Sequence, residues 1–197
     1  MSIGHVTPTK LALIELKEKL RLMRSAKRIL EQKRDSLREA LKSSIVLLVD
    51  IISFLKRNIL EILELLYANL IKYEEAVRAY EPIAKERIEV EVIWISKGGY
   101  YAPEFRIANI PSTVEYPEGL RAIASKFYEE LPNILKLVSS LTELLILLRE
   151  IEITNRIVNT LEKVSIPSLE ERIKYINMML SEMLLSELSS LRVLFSG

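Results

Sequence analysis

The sequence has no cysteine, a single histidine (His5), a single glutamine (Gln32) and only five glycines among 197 residues. Without cysteine, a disulfide framework and a thiolate metal site are excluded. With His5 as the only imidazole, near an end expected to fray, histidine acid–base chemistry and histidine metal ligation are not expected. A carboxylate-bundle metal site needs Glu-x-x-His pairs, and none occurs. Gly98-Gly99 lacks a following Lys-Ser/Thr, so no phosphate-cradling loop is present. No glycine lies between Gly4 and Gly98, or between Gly119 and Gly197, and proline is absent from Thr9 through Glu81. An α/β enzyme of this length needs turn residues spread along the chain, whereas here they gather in the middle. Catalytic residues, cofactors and metals are therefore all expected to be none. Net charge is +1, too small for a bulk electrostatic case for nucleic acid.

The first residues, Met1-Ser-Ile-Gly-His, show no charged segment leading into an apolar core, so no signal peptide is expected. The most apolar stretches, Ser43–Leu70 and Leu131–Leu148, are interrupted by Asp50, Lys56, Arg57, Glu61 and Glu64, and by Lys136 and Glu143. Neither offers about 20 unbroken apolar residues, so direct membrane insertion is not expected and the chain reads as soluble and cytoplasmic. The lack of Cys and the scarcity of Gln also suit a thermophile.

What the sequence does have is helical stripe. Thr7-Pro8-Thr9 supplies a cap and an early proline. Leu13, Leu16, Leu20, Met23, Leu30, Leu37, Leu41, Leu48, Ile51 and Leu55 then recur at steps of three and four, interrupted by Lys27, Arg34 and Ser44. This is the seam of a coiled coil, about 110 Å long if unbroken from Pro8 to Tyr80. From Ser43 the apolar face widens, which implies burial on more than one side.

Pro82 is expected to end this arm. Arg87–Ile95 alternates, with Ile88, Val90, Val92 and Trp94 on one face and Glu89 and Glu91 on the other, so a strand is predicted with Trp94 as core. Ser96-Lys97-Gly98-Gly99 is the turn, and Tyr100–Ile107 the returning strand, interrupted at Pro103. A second arm starts near Pro117, with a break expected at Pro132 and a bend or restart at Pro167 that moves the stripe to Leu169, Ile173, Ile176, Leu180 and Met183. The fold class is thus mainly α: residues 1–80 and 119–197 form a long antiparallel two-helix coiled coil, and 81–118 a small β-hairpin and loop. The expected shape is a rod, with Lys10–Leu55 against Leu144–Leu194.

Two polar features interrupt this pattern. Arg21–Arg34 holds Arg21, Arg24, Lys27, Arg28, Lys33 and Arg34 against one acid, Glu31. It reads as an exposed coiled-coil flank, as a positive collar for an acidic partner, or as a basic helix for DNA. Around Glu152–Leu169, Ile151 just before it shares one helix face with Thr154, Val158 and Leu161, and Thr154-Asn155-Arg156 with Asn159 forms a polar block. Antiparallel pairing brings Arg34 level with Thr154. Arg34 is predicted to be half-buried in a polar seam layer with Thr154, Asn155, Asn159 or Glu162, fixing register at some expense of stability. Asp35 and Arg156 are predicted to be exposed and partner-facing, together with Arg21, Arg24, Lys27 and Arg28.

Nearly the whole chain resembles the D subunit of the archaeal and vacuolar-type rotary ATPases. The resemblance lies in Pro8-Thr9-Lys10, Leu13, Leu16, Leu20, Ala26, Leu30 and Lys33-Arg34-Asp35-x-Leu37, and then in Thr154-Asn155-Arg156-x-Val158-Asn159-x-Leu161-Glu162, Ile166-Pro167, Tyr175-Ile176 and Leu180-x-Glu182. Ala26, Glu31 and Ile157 depart from the family's usual residues, and Ser181–Gly197 replaces its charged tail. The resemblance implies a non-catalytic central-stalk rotor, coupling ion transport through the membrane ring to ATP synthesis or hydrolysis in the head. Its implied partners are the catalytic and regulatory head ring, the small F subunit of the central stalk and the socket subunit above the membrane ring. An alternative is a coiled-coil scaffold or export-apparatus stalk without ATPase coupling. A simple helical hairpin, however, has no need of alternating strands at its turn.

Overall fold

The computed structural model describes residues 8–80, 87–112 and 118–195, with side chains for 8–69, 87–112 and 118–191. The element order is α1 (Lys10–Tyr80), β1 (Glu89–Lys97), β2 (Tyr100–Asn109), α2 (Glu118–Thr160), a π-turn (Leu161–Ser165) and α3 (Ile166–Phe195). The fold is mainly α with one antiparallel hairpin. The expected stop at Pro82, the arm start near Pro117 and His5 lie outside the described residues.

The chain divides into two compact units: Met1–Ser36 with Ile151–Gly197, and Leu37–Glu150. In the first unit Thr9 caps α1. Its Oγ1 accepts the Ala12 N–H at 3.1 Å, taking up a donor that the first helical turn leaves without a partner. Val158, Leu169 and Ile176 are buried there. Arg24 meets Glu170 and Lys27 meets Glu162, so the residue number rises on one helix as it falls on the other, and the pair is antiparallel. At that register, Lys10 reaches only to the level of about residue 180, at 1.5 Å per residue along both helices. Accordingly, Leu180 is half-buried and every described side chain from Ser181 to Leu191 is exposed, Met183 included. This corrects the expectation of a seam reaching Leu194: burial stops where α1 has no more residues to offer.

The restart at Pro167 takes the form of the π-turn. The Ile166 N–H bonds back five residues to the Leu161 carbonyl. Proline has no N–H to give, and its ring crowds the carbonyl four residues earlier. Widening the preceding turn relieves that clash and lets α3 continue.

In the second unit Leu37, Ile51, Leu55, Leu131 and Leu147 form the core. Asn58 donates to Glu130 Oε1 at 2.7 Å and Lys126 lies 3.9 Å from Glu61, so the helices again run antiparallel. The expected break at Pro132 does not occur, since α2 runs through it. Leu131 is buried beside it, and Glu130 holds both Asn58 and Asn133, the latter at 3.0 Å. These contacts offset the roughly 3 kcal/mol that a proline costs inside a helix.

The hairpin closes through Gly98 (φ 54°) and Gly99 (φ 105°), both in the region where a side chain would be strained. The expected interruption at Pro103 is also absent: β2 is continuous and Pro103 pairs with Trp94. The Phe105 N–H points away from β1, to Ser139 Oγ at 3.2 Å. The nitrogen of Pro103, two residues earlier, therefore points the same way, and no ladder bond is lost. Trp94, expected as core, is instead 60% exposed: α2 meets the hairpin along β2, where Ala102 and Pro103 are buried, whereas every residue of β1 except Ile95 is exposed.

Candidate functional site

In the first unit the polar residues sort by distance from the apolar stripe. Thr154 is buried at 2% exposure, Asn155 is half-buried and Asn159 is exposed. Arg34, 24% exposed, bonds to Asp35 Oδ1 through Nε at 3.2 Å, and its charge also acts on Glu162. Asp35 and Arg156 are exposed, and Arg156 reaches Glu152 one turn back at 3.6 Å. Thr154 and Arg34 thus lie nearest the seam, while Asn159, one residue beyond buried Val158, is rotated out by about 100°.

The basic cluster is only partly open. Lys27 Nζ donates to Glu162 Oε1 at 2.8 Å and lies 3.7 Å from Glu31. Arg24 Nη2 donates to Glu170 Oε1 at 2.6 Å. The hydrogen bond and charge of Glu162 raise the Lys27 pKa, and Lys27 in turn lowers that of Glu162, with Lys163 and Arg34 adding to the effect. Arg21 and Arg28 are exposed and make no ion pair among the described residues. Lys17, Leu20, Arg21, Arg24, Ser25 and Arg28 line a shallow groove of about 410 Å³.

The second unit holds a group that sequence reasoning missed. Glu143, 14% exposed, accepts from Lys97 Nζ through Oε2 and from Tyr100 Oη through Oε1, each at 2.7 Å. Burial first, and then the bond to Glu143, pushes the Tyr100 phenol well above its usual range. Ser139, one turn before Glu143, takes the Phe105 amide, so one face of α2 fixes both the turn and the middle of β2. The available signal was the i, i+4 pair Ser139/Glu143 facing a strand with two donors at its turn. Between hairpin and helices lies a groove of about 380 Å³, lined by Leu47, Ile95, Pro103, Phe105, Pro132 and Lys136 among others.

Among the described residues no group of three His, Cys, Asp or Glu side chains could hold a metal ion. One helical run among the described residues, Glu118–Leu191, is by length and composition apolar enough to cross a membrane. A run of this kind says little by itself, since a helix with a broad apolar seam passes the same test.

Fold and surfaces together define a mainly α protein whose antiparallel helices are held in register by polar links, with a latched β-hairpin at mid-chain. Residues 12–194 match the family of ATP synthase D subunits, and the chain belongs to that family. It is similar to the V-type ATP synthase D subunit of Acetivibrio thermocellus, 29% identical over 92% of this chain and 86% of that one. It is also similar to the V-type ATP synthase D subunit of Thermotoga neapolitana, 30% identical over 95% of each chain. A further relative is the A-type ATP synthase D subunit of Methanosarcina mazei, 30% identical over 93% of this chain and 92% of that one.

Proposed function

We propose that this chain is the non-catalytic central-stalk shaft of an A/V-type rotary ATPase, peripheral to the membrane on its cytoplasmic side. Residues 1–80 and 119–197 supply the torque-bearing arms, and 81–118 a hairpin module between them. ATP chemistry takes place on the head-ring partners. The socket subunit and the small F subunit complete the stalk. The observation that carries this reading is register. In a member of this family, each unit ties α1 to the returning helix through paired polar groups, Arg24–Glu170 and Lys27–Glu162 in one, Asn58–Glu130 and Glu61–Lys126 in the other. A shaft that transmits rotation must not slip along its seam, and such links oppose slippage.

The test is affinity purification of the tagged chain from its native host, with ATP hydrolysis assayed before and after the chain is stripped away. Head-ring and stalk subunits should co-purify, hydrolysis should stay with the ring, and ion transport coupled to hydrolysis should be lost without the chain. Recovery of the chain with no ATPase subunit, or turnover by the pure chain that a mutation in it abolishes, would refute the reading.

A further inference from the structure

Beyond its seam, the first part of α1 carries two more stripes. At about 100° per residue, Lys17, Arg21, Arg24 and Arg28 fall within a sector of about 60°. They line the 410 Å³ groove together with Leu20 and Ser25. Roughly a quarter turn further round lie Leu11, Ile14, Leu22 and Ile29, each at least 60% exposed. Between Lys17 and Arg28 there are six cations (Lys17, Lys19, Arg21, Arg24, Lys27 and Arg28) and one acid, Glu18, in a chain whose net charge is +1. Positive charge is thus concentrated here and balanced elsewhere.

We infer that these two stripes form one docking surface for a protein partner that presents acidic side chains beside an apolar margin. The inference rests on the functional reading above and assigns the chemistry of one contact within it. Charge complementarity selects an acidic partner. The adjoining apolar stripe selects protein over nucleic acid, because a phosphate backbone has nothing with which to cover four exposed aliphatic side chains. An ordinary solvated helix face has no reason to line them up. Arg24 is already oriented by Glu170 at 2.6 Å, which reduces the side-chain freedom it gives up on docking. Arg21 and Arg28, flanking it on the same sector, have no ion pair among the described residues to break first.

The probe is the head ring purified without its central shaft, titrated with the full-length chain at low and at physiological salt. Arg21→Gln/Arg28→Gln should weaken binding about tenfold at low salt and flatten its salt dependence. Leu22→Ser/Ile29→Ser should weaken binding while leaving the salt dependence as in the wild type. Thermal unfolding of each variant confirms that the fold is kept, as expected for exposed positions. If the wild type binds the ring and both variants bind like it, the surface assignment fails while the shaft reading stands. If the wild type does not bind the ring, both fail. Steeply salt-dependent binding of double-stranded DNA that Arg21→Gln/Arg28→Gln abolishes, with ring binding unchanged, would also overturn the inference in favour of nucleic acid.

Discussion

The two units tie their helices together by different means. In the first, the links between helices are ion pairs at the rim of the seam, Arg24–Glu170 and Lys27–Glu162, with about half or more of three of these four side chains in water and Lys27 23% exposed. The second has one exposed pair of this kind, Lys126–Glu61, but adds part-buried hydrogen bonds: Asn58 to Glu130 between the helices, and Tyr100 to Glu143 and the Phe105 amide to Ser139 between hairpin and helix. Water and salt screen the first kind, and an exposed pair is cheap to exchange for a partner's charge. The second kind must be satisfied internally, because a buried donor without its acceptor is costly. The first unit is therefore suited to a surface that exchanges contacts, and the second to holding one hairpin in one place.

The largest expected effect probes what the units share. Leu147, in the second, and Ile176, in the first, are almost wholly buried, whereas Leu145 is 66% exposed. Leu147→Ala and Ile176→Ala should each cost about 2–5 kcal/mol in denaturant unfolding, and Leu145→Ala no more than about 0.5 kcal/mol. Equal losses at Leu147 and Leu145 would mean that the cores do not hold the units and that the contrast between their rims is secondary.

These cores were legible in the sequence because a stripe at steps of three and four is a local signal. Leu37, Val158, Leu169 and Ile176 are each on a stripe the residues announce and each buried. What was not legible depended on neighbours distant in sequence. Pro132 reads as a break until the Glu130 carboxylate is seen gripping Asn58 and Asn133 around it. Pro103 reads as an interruption until the Phe105 amide shows which edge of β2 faces α2. Trp94 reads as core because alternation gives two faces but not which strand of the hairpin will lie against the helices. Glu143 reads as a charge breaking an apolar run, since nothing local says that a lysine and a tyrosine will meet it.

The next prediction tests the second unit's latch. Glu143→Ala leaves Lys97 and Tyr100 without their common acceptor, and should cost about 1–3 kcal/mol. Because Trp94 is the only tryptophan, its emission and anisotropy report on the hairpin alone. Both should change in Glu143→Ala and hold in Lys136→Ala, whose side chain makes no hydrogen bond or ion pair among the described residues. Tyr100 gives the pH signature. Its folded-state pKa lies above the unfolded value, so its contribution is fully present below about pH 10 and is lost as the pH rises beyond that. Wild-type stability should fall more steeply above pH 10 than that of Tyr100→Phe. Parallel curves would remove the phenol from the latch.

The smallest expected effect concerns the first unit's rim, and it decides whether the contrast is real. Lys27 holds the Glu162 carboxyl below its ordinary pKa, chiefly through their hydrogen bond and then through charge. A depressed folded-state value means that the link contributes stability above the unfolded carboxylate pKa, and that this is lost as the pH falls through the folded value. In a carboxyl-resolved NMR titration, Glu162 should titrate below an ordinary glutamate at low salt. It should move back towards the ordinary value in Lys27→Met, and do so in part when salt is added to the wild type, because exposed charges are screened. The latch at Glu143 is shielded by burial, so its Tyr100 signature should respond far less to the same salt. If Glu162 titrates as an ordinary glutamate in the wild type, or ignores both Lys27→Met and salt, the rim pair is geometry without energy. The first unit's register would then rest on its apolar stripe, Thr154 and the Arg24–Glu170 pair.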